Sequence, residues 1–390
     1  MDLNFTPEEI AFRDEARHFF RTAIPEAIRA KVAEGEGLTR DDMITAQRIL
    51  NARGWCTVNW PVEWGGQDWT PIQVYLYQDE MQQANCPSPI AFNVSMVGPV
   101  IAQFGSQAIK ERFLPATANA DIFWCQGFSE PGSGSDLASL RTKAEKSGDK
   151  YIVNGQKIWT TLAQYADWIF CLVRTDALAK KHDGISFILI DMADPGVRTR
   201  PIRLISGSSP FCETFIENVR VPMTNLVGGL NQGWTIAKRL LEHERKMIAS
   251  IGERQRGAER SLGEIGKSYV GAREGKLADA TLRDRIAQQE MDAQAFQLTR
   301  RRAAEEAKTG TPGPASAMFK YYGTELNKRK FELLLQCVGT QALGWSGDGF
   351  NPDELRITRE WLRSKGNSIE GGTSEVQLNV IAKRVLGLPD

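Results

Sequence analysis

The sequence has few of the residues that usually announce a metal centre or a hydrolase: its three histidines, His18, His182 and His243, lie far apart in 390 residues. That scarcity argues against a histidine-rich metal site and a Ser/His/Asp triad. Six cysteines (Cys56, Cys86, Cys125, Cys171, Cys212, Cys337) are scattered with no CxxC pair, so a dithiol or zinc-ribbon reading fails. Reduced thiols in a cytoplasmic compartment are the simplest expectation. Net charge is also missing, with 48 Lys and Arg against 48 Asp and Glu, so no field draws the chain to nucleic acid or an anionic membrane. No membrane span is expected, because the apolar runs WIFCLV and ISFILI are strand-sized, and no basic, apolar leader is visible before the first helix start. Small molecules and other subunits remain as partners.

What is present is ordinary globular usage, 42% hydrophobic and 25% charged, enough for a core divided among two or three domains. Thr6, Pro7 and Glu9 form a helix start with a capping box, followed by Ile10, Phe12, Ala16, Phe19 and Phe20 at helical spacing. Helical periodicity runs through residues 1–120, interrupted by breaks such as WPVEWGG. Residues 121–230 change to short β-rich runs: YIV, QKIWTT, DWIFCLVRT, GISFILIDM and FCETFIENVRV. Asn154-Gly155 between the first two predicts a hairpin turn. Residues 231–390 return to long helical segments with breaks near Gly310–Pro314 and Gly344–Pro352, which predicts a helical bundle. The expected class is α+β: an all-α domain, a central antiparallel β-barrel or sandwich, then a bundle.

Neither a GxGxxG loop nor a Walker loop occurs. PGSGSD carries Gly132 and Gly134, but Leu137 stands where a third glycine is needed. The loop does offer Ser129, Ser133, Ser135 and exposed N–H groups, suited either to a phosphate or polar ring edge or to plain solvation as a turn.

QGFSEPGSGSDL (126–137) followed by NGQKIWTT (154–161), with the tail EGGTSEVQLNVIAKRVLG, resembles the acyl-CoA dehydrogenases over essentially the whole chain. The resemblance implies a central β-barrel between an α domain and a four-helix bundle, with FAD as cofactor and an acyl-CoA as substrate. It implies that Gln126, Phe128, Ser129 and Gly134 line the flavin and that Trp159, Thr160 and Thr161 close over it, Thr161 near N5. Ser135 would lie where flavin and pantetheine approach each other. By periodicity alone, Trp159 is equally a buried strand-end aromatic.

Oxidation across Cα and Cβ of a thioester needs a carboxylate for the α proton and a hydride acceptor for the β hydrogen, here implied to be flavin N5. In much of the family the base precedes a Gly-Thr pair near the C-terminus, and here that position is Gly371, which has no side chain to take a proton. Other branches carry the base on a bundle helix directly before an arginine, as Glu244-Arg245 does. Periodicity supports Glu244 independently, since Ile236, Ala237, Leu240, Leu241, Met247, Ile248 and Ile251 form one apolar stripe that contains it, whereas Glu242 points elsewhere. A carboxylate on such a stripe is paired, protonated or used, and partial desolvation raises its pKa. A buried ion pair is the competing reading, and Glu370 is the second candidate base. The resemblance places Arg245 towards the CoA chain and the Gly371 N–H, with a flavin ribityl hydroxyl, on the thioester carbonyl.

In this family a neighbouring subunit grips the adenosine half of FAD. Gln336 and Gly339 match part of that pattern, with Thr340 in place of a second glycine. Thr373 and Glu375 at a capped helix start, with Gln377 completing a capping box, would face the cofactor. Arg273, Arg283 and Arg285 are available for the pyrophosphate. The implied assembly is a homo-oligomer, dimer or tetramer, or a heteromer with a related chain. Three activities fit: a dehydrogenase passing electrons to an electron-transfer flavoprotein, a non-catalytic partner subunit, and an oxidase using dioxygen. The sequence also looks like bacterial relatives acting on pimeloyl-type or steroid-side-chain thioesters.

Overall fold

The computed structural model describes residues 5–249, 260–307 and 318–389. The N-terminal region is helical: α1 (Pro7–Thr22), α2 (Glu26–Glu34), α3 (Arg40–Ala52), α4 (Pro71–Gln83), α5 (Gly98–Phe104) and α6 (Gln107–Ala118). The expected capping box is formed, as the Thr6 hydroxyl accepts from Glu9 N while Glu9 returns a bond to Thr6 N. Ala16 and Phe20 are buried on the inner face of α1, while Ile10 is exposed. A π-helical segment, Phe92–Val97, precedes α5. Its Asn93 accepts from Trp124 N at 3.0 Å and donates to the carbonyls of Thr117 and Ile122, so it fixes where the next region begins.

Eight strands follow: β1 (Trp124–Gly127), β2 (Lys143–Ser147), β3 (Lys150–Thr161), β4 (Trp168–Arg174), β5 (Ile185–Asp191), β6 (Val197–Ile202), β7 (Phe211–Pro222) and β8 (Leu226–Val227). They form one sheet in the order β6-β7-β3-β2-β4-β5-β8, with β1 on β4. The expected closed antiparallel barrel is not formed. β1 and β2 both meet β4 in parallel, and the path ends at β8, whose two residues offer little ladder on which β6 could close.

The Asn154-Gly155 turn is also corrected. YIV and QKIWTT are one continuous strand, β3, and the turn before it falls at Gly148-Asp149. Asn154 Oδ1 instead accepts from Asn218 N at 2.8 Å, across a bulge in β7. Gly155 is needed for close approach, since a Cβ there would stand 2.4 Å from Thr142 Oγ1 and 2.7 Å from Thr142 Cα. Gly155→Ala should therefore lower stability by about 1–3 kcal/mol, the usual cost of overpacking, read from urea midpoints.

The C-terminal region contains α7 (Gly233–Ala249), α8 (Leu262–Val270), a ribbon of β9 (Ala272–Arg273) and β10 (Lys276–Leu277), α9 (Ala280–Ala307), α10 (Phe319–Val338), α11 (Pro352–Ser364) and α12 (Ser374–Val380). α10 is its central member, packed against α7, α8, α9 and α11. The break expected near Gly310–Pro314 lies outside the described residues.

One buried cluster ties the three regions together. Val100, Ile101, Phe113 and Leu114 share it with Trp124, Phe170, Phe187 and Leu189 and with Ile236, Ala237 and Leu240 of α7. Each of the larger side chains contributes roughly 1.5–3 kcal/mol on burial, so α7 is held on the sheet. Glu244 lies one helical turn beyond Leu240 on the same face.

Candidate functional site

The Gln126 amide on β1 donates from Nε2 to Glu244 Oε2 at 3.3 Å, joining positions 118 residues apart. Glu244 is half-buried at the edge of the shared core, whereas Glu242 is exposed and paired with Arg239. The inner stripe of α7 is seen in the buried Ile236, Ala237 and Leu240. The side chains of Arg245, Met247 and Ile248, and residue Ile251, lie outside the described residues.

Beside this pair β3 carries a bulge. The register passes from Lys157↔Thr214 to Thr160↔Cys212, so Ile158 and Trp159 together face Glu213. Trp159 consequently has φ 60°, a left-handed backbone that costs a non-glycine residue on the order of 1–3 kcal/mol. Bulges re-aim side chains near sites, and here the indole stands 54% exposed and perpendicular to the Phe211 ring. Thr160 turns inward and is buried, and Thr161 is half-buried.

The loop between β1 and β2 is held by a buried ion pair. Lys157 Nζ, fully enclosed, donates to Glu130 Oε1 at 2.8 Å and to Phe128 O at 3.1 Å. Glu130 also accepts from the N–H groups of Arg141 and Thr142. Burial alone would raise the Glu130 pKa, but Lys157 and these N–H groups hold it below its ordinary value. Ile158 N donates to Ser129 O at 2.9 Å, completing the link between loop and bulge. Gly134 and Ser135 are exposed at the loop tip, Ser129 is half-buried, and the Phe128 ring is buried edge-on against Phe170 and Phe187. Phe128 can thus present backbone but not its ring.

The residues fit a flavin. Gln126 Oε1 and Thr160 Oγ1 are buried with no hydrogen-bond partner among the described residues, which is costly unless a polar group arrives to meet them. They flank an exposed indole and an open loop of hydroxyls and N–H groups.

On the C-terminal side, Gly371 and Gly372 form a turn with φ 65° and 93°. Gln377 Nε2 donates to Gly371 O at 3.2 Å and Lys320 Nζ to Gly372 O at 2.7 Å. Thr373 is the N-cap of α12, but the box expected from Gln377 is absent, because the position that closes a box is Val376 and Gln377 lies one residue beyond it. Glu375 is exposed, its carboxyl below the ordinary range through bonds from its own backbone N–H and the Thr373 hydroxyl. Glu370 is committed elsewhere, to Arg363 at 2.8 Å and Asn367 at 2.6 Å.

Gln336 and Gly339 do not join this group. They lie at the far end of α10 from Lys320, about 24 Å away at 1.5 Å per residue. The Gln336 amide accepts from Arg285, Arg283 donates to Leu277 O, and Arg273 is exposed on β9. Sequence reasoning missed Glu130, Lys157, Asn93 and Lys320. A lysine on an inward position of a strand was the one available signal.

Among the described residues no group of three or more His, Cys, Asp and Glu side chains is placed to hold a metal, and no helix is long and apolar enough to cross a membrane.

Models of the acyl-CoA dehydrogenase N-terminal, middle and C-terminal domains match residues 6–121, 125–219 and 231–386. Acyl-CoA dehydrogenase FadE26 of Mycobacterium tuberculosis is 33% identical over 402 residues, covering 100% of this chain and 99% of the relative. FadE34 of the same organism is 36% identical over 93% of this chain, which spans about half (48%) of that relative's length. Among solved structures, the Tcur3481-Tcur3483 steroid ACAD superposes with a TM-score of 0.84 at 30% identity, covering 100% of both chains. The chain therefore belongs to the acyl-CoA dehydrogenase family, oxidoreductases that work with FAD.

Proposed function

We propose that this chain catalyses α,β-dehydrogenation of a bulky, ring-bearing acyl-CoA thioester to the trans-2-enoyl-CoA, with Glu244 as the base. The observation that carries this reading is the meeting of Gln126 and Glu244, which brings the loop-and-bulge face and a half-buried carboxylate to one place. When bound, FAD supplies the two-electron acceptor for the reaction. Gln126, Thr160 and the backbone at Phe128 and Ser129 would hold it, with Trp159 and Thr161 against its ring. Gln126 orients the Glu244 carboxylate, Glu244 takes the α proton, and the Gly371 N–H polarises the thioester carbonyl. Ser135 and Arg245 serve the CoA arm.

Glu370 is the weaker base because Arg363 and Asn367 occupy its carboxylate. The absence of a side chain at Gly371 leaves room beside the reacting carbons, and the similarity to a steroid ACAD supports a ring-bearing substrate. That neighbour is named for two gene products, which supports assembly with a related chain, Gln336, Gly339 and Thr373 then facing across the interface to a second FAD. An electron-transfer flavoprotein is the proposed acceptor, and the cytoplasm the proposed location.

Anaerobic titration of the FAD-loaded protein with a panel of acyl-CoAs tests the reading. Ring-bearing thioesters should bleach the flavin band fastest, and a panel in which no thioester bleaches it would remove the dehydrogenase assignment. Glu370→Gln should alter the bleaching rate by less than about threefold, since general-base losses run to a hundredfold or more.

A further inference from the structure

Trp159 combines a costly left-handed backbone with an indole that is more than half exposed. A strained residue persists only where its surroundings determine it, and strand packing leaves much of this ring uncovered. The indole stands perpendicular to Phe211, with ring centroids 6.1 Å apart. Phe211 is the first residue of β7 and pairs with Thr161 on β3. That phenyl ring is met in turn from the C-terminal region, where the Arg363 guanidinium, in the last turn of α11, lies 5.4 Å from its centroid. The same guanidinium donates from Nη2 to Glu370 Oε2 at 2.8 Å, and Glu370 immediately precedes the Gly371–Gly372 turn.

We propose that Arg363 is a positioning residue for the cofactor: it joins the bulge of the central sheet to the turn of the C-terminal region and, by packing on Phe211, fixes the Trp159 indole where the flavin meets it. This rests on the reading that Trp159 lies against the flavin ring.

Arginine suits both contacts at once, because its planar face packs on an aromatic ring while its edge donates to a carboxylate. Both partners of the Arg363–Glu370 pair are partly exposed, so solvent weakens their attraction and the pair acts chiefly by fixing geometry. Glu370 also accepts from Asn367 at 2.6 Å, and its N–H donates to Gly366 O at 3.1 Å. The turn therefore keeps other supports when Arg363 is replaced, and the larger consequence falls on Phe211 and the indole beside it.

The test is the rate at which FAD leaves the FAD-loaded protein on dilution, followed by the rise in flavin fluorescence, together with the visible spectrum of the bound flavin. Arg363→Met and Phe211→Leu should each speed FAD release about tenfold and shift the flavin band. The double variant should release FAD no faster than either single one, because both changes break the same relay. Arg363→Gln keeps a donor for Glu370 but removes the cation from the ring, so it should behave as Arg363→Met does. An arginine that merely ties α11 to Glu370 would be rescued by Gln, or would lower the urea midpoint with FAD release and spectrum unchanged. Either result would overturn the proposal, as would single effects that multiply in the double variant. Should Arg363→Met fail to fold, Arg363→Gln is read in its place. Failure of the flavin reading itself is distinguishable, because it appears as native FAD release and spectrum in Trp159→Leu whatever stands at 363.

Discussion

Glu244→Gln should retain FAD and still bind acyl-CoA, yet reduce the rate of flavin bleaching on the order of 10³-fold. The magnitude follows from the 10²–10⁴-fold typically carried by a positioned general base. Retention of the cofactor follows from the contact itself: a glutamine amide at 244 can still accept from Gln126 Nε2, so the geometry that now stands at 3.3 Å survives while the proton acceptor does not. Glu244→Asp gives a second reading of the same site. It keeps the charge but withdraws the carboxylate by one methylene, and a misplacement near 1 Å can cost about 10²-fold. Stopped-flow bleaching under nitrogen measures both, with the visible spectrum giving FAD content. A Gln variant that bleaches at the native rate would move the base elsewhere.

Lys157→Met should have the largest effect on stability, about 3–5 kcal/mol, because it leaves the buried Glu130 carboxylate without its cation. The pH dependence identifies the mechanism. In the native protein the Glu130 pKa is depressed, so its contribution is fully present above the ordinary carboxylate value near 4.3 and is lost as pH falls through the lower folded value. In the variant the sign reverses. A buried carboxyl without a cation has a raised pKa, so protonation relieves the strain and the deficit should shrink from pH 7 to pH 5. Urea midpoints of both proteins at the two pH values measure this, and a deficit independent of pH would show that lost packing, not the stranded charge, was responsible. FAD should also be held less tightly, because the same lysine fixes the Phe128 carbonyl and the Ser129–Ile158 link between loop and bulge.

Features set by near neighbours in sequence were legible. The Thr6–Glu9 box, the N-cap at Thr373 and the inward stripe of Ile236, Ala237 and Leu240 need only a few residues of context. Asn154-Gly155 shows where that context fails. A turn-prone dipeptide sits inside a twelve-residue strand because pairing with β7 outweighs local preference. The true turn escaped notice because β2, KAEKS, is exposed on all but one residue and has no hydrophobic alternation to read. Gln377 was misplaced by one residue, which a capping box does not tolerate. At the site, Gln126 and Glu244 were each recognisable, but their meeting depends on a core assembled from three regions. The partners of Lys157 and Lys320 lie 27 and 52 residues away, and no local rule could supply them.

The left-handed turn at Gly371 bears on how readily a carboxylate could be placed at that position. With φ 65° there, any residue bearing a Cβ meets a backbone penalty of roughly 1–2 kcal/mol. The carbonyls of Gly371 and Gly372 are also engaged by Gln377 and Lys320, so a new side chain would have to enter without shifting either bond. A single substitution of Gly371 by Glu is therefore uphill before any catalytic benefit is felt. A carboxylate for this site is thus more readily carried on the regular backbone of α7, where Glu244 stands, than on a left-handed turn held at both carbonyls.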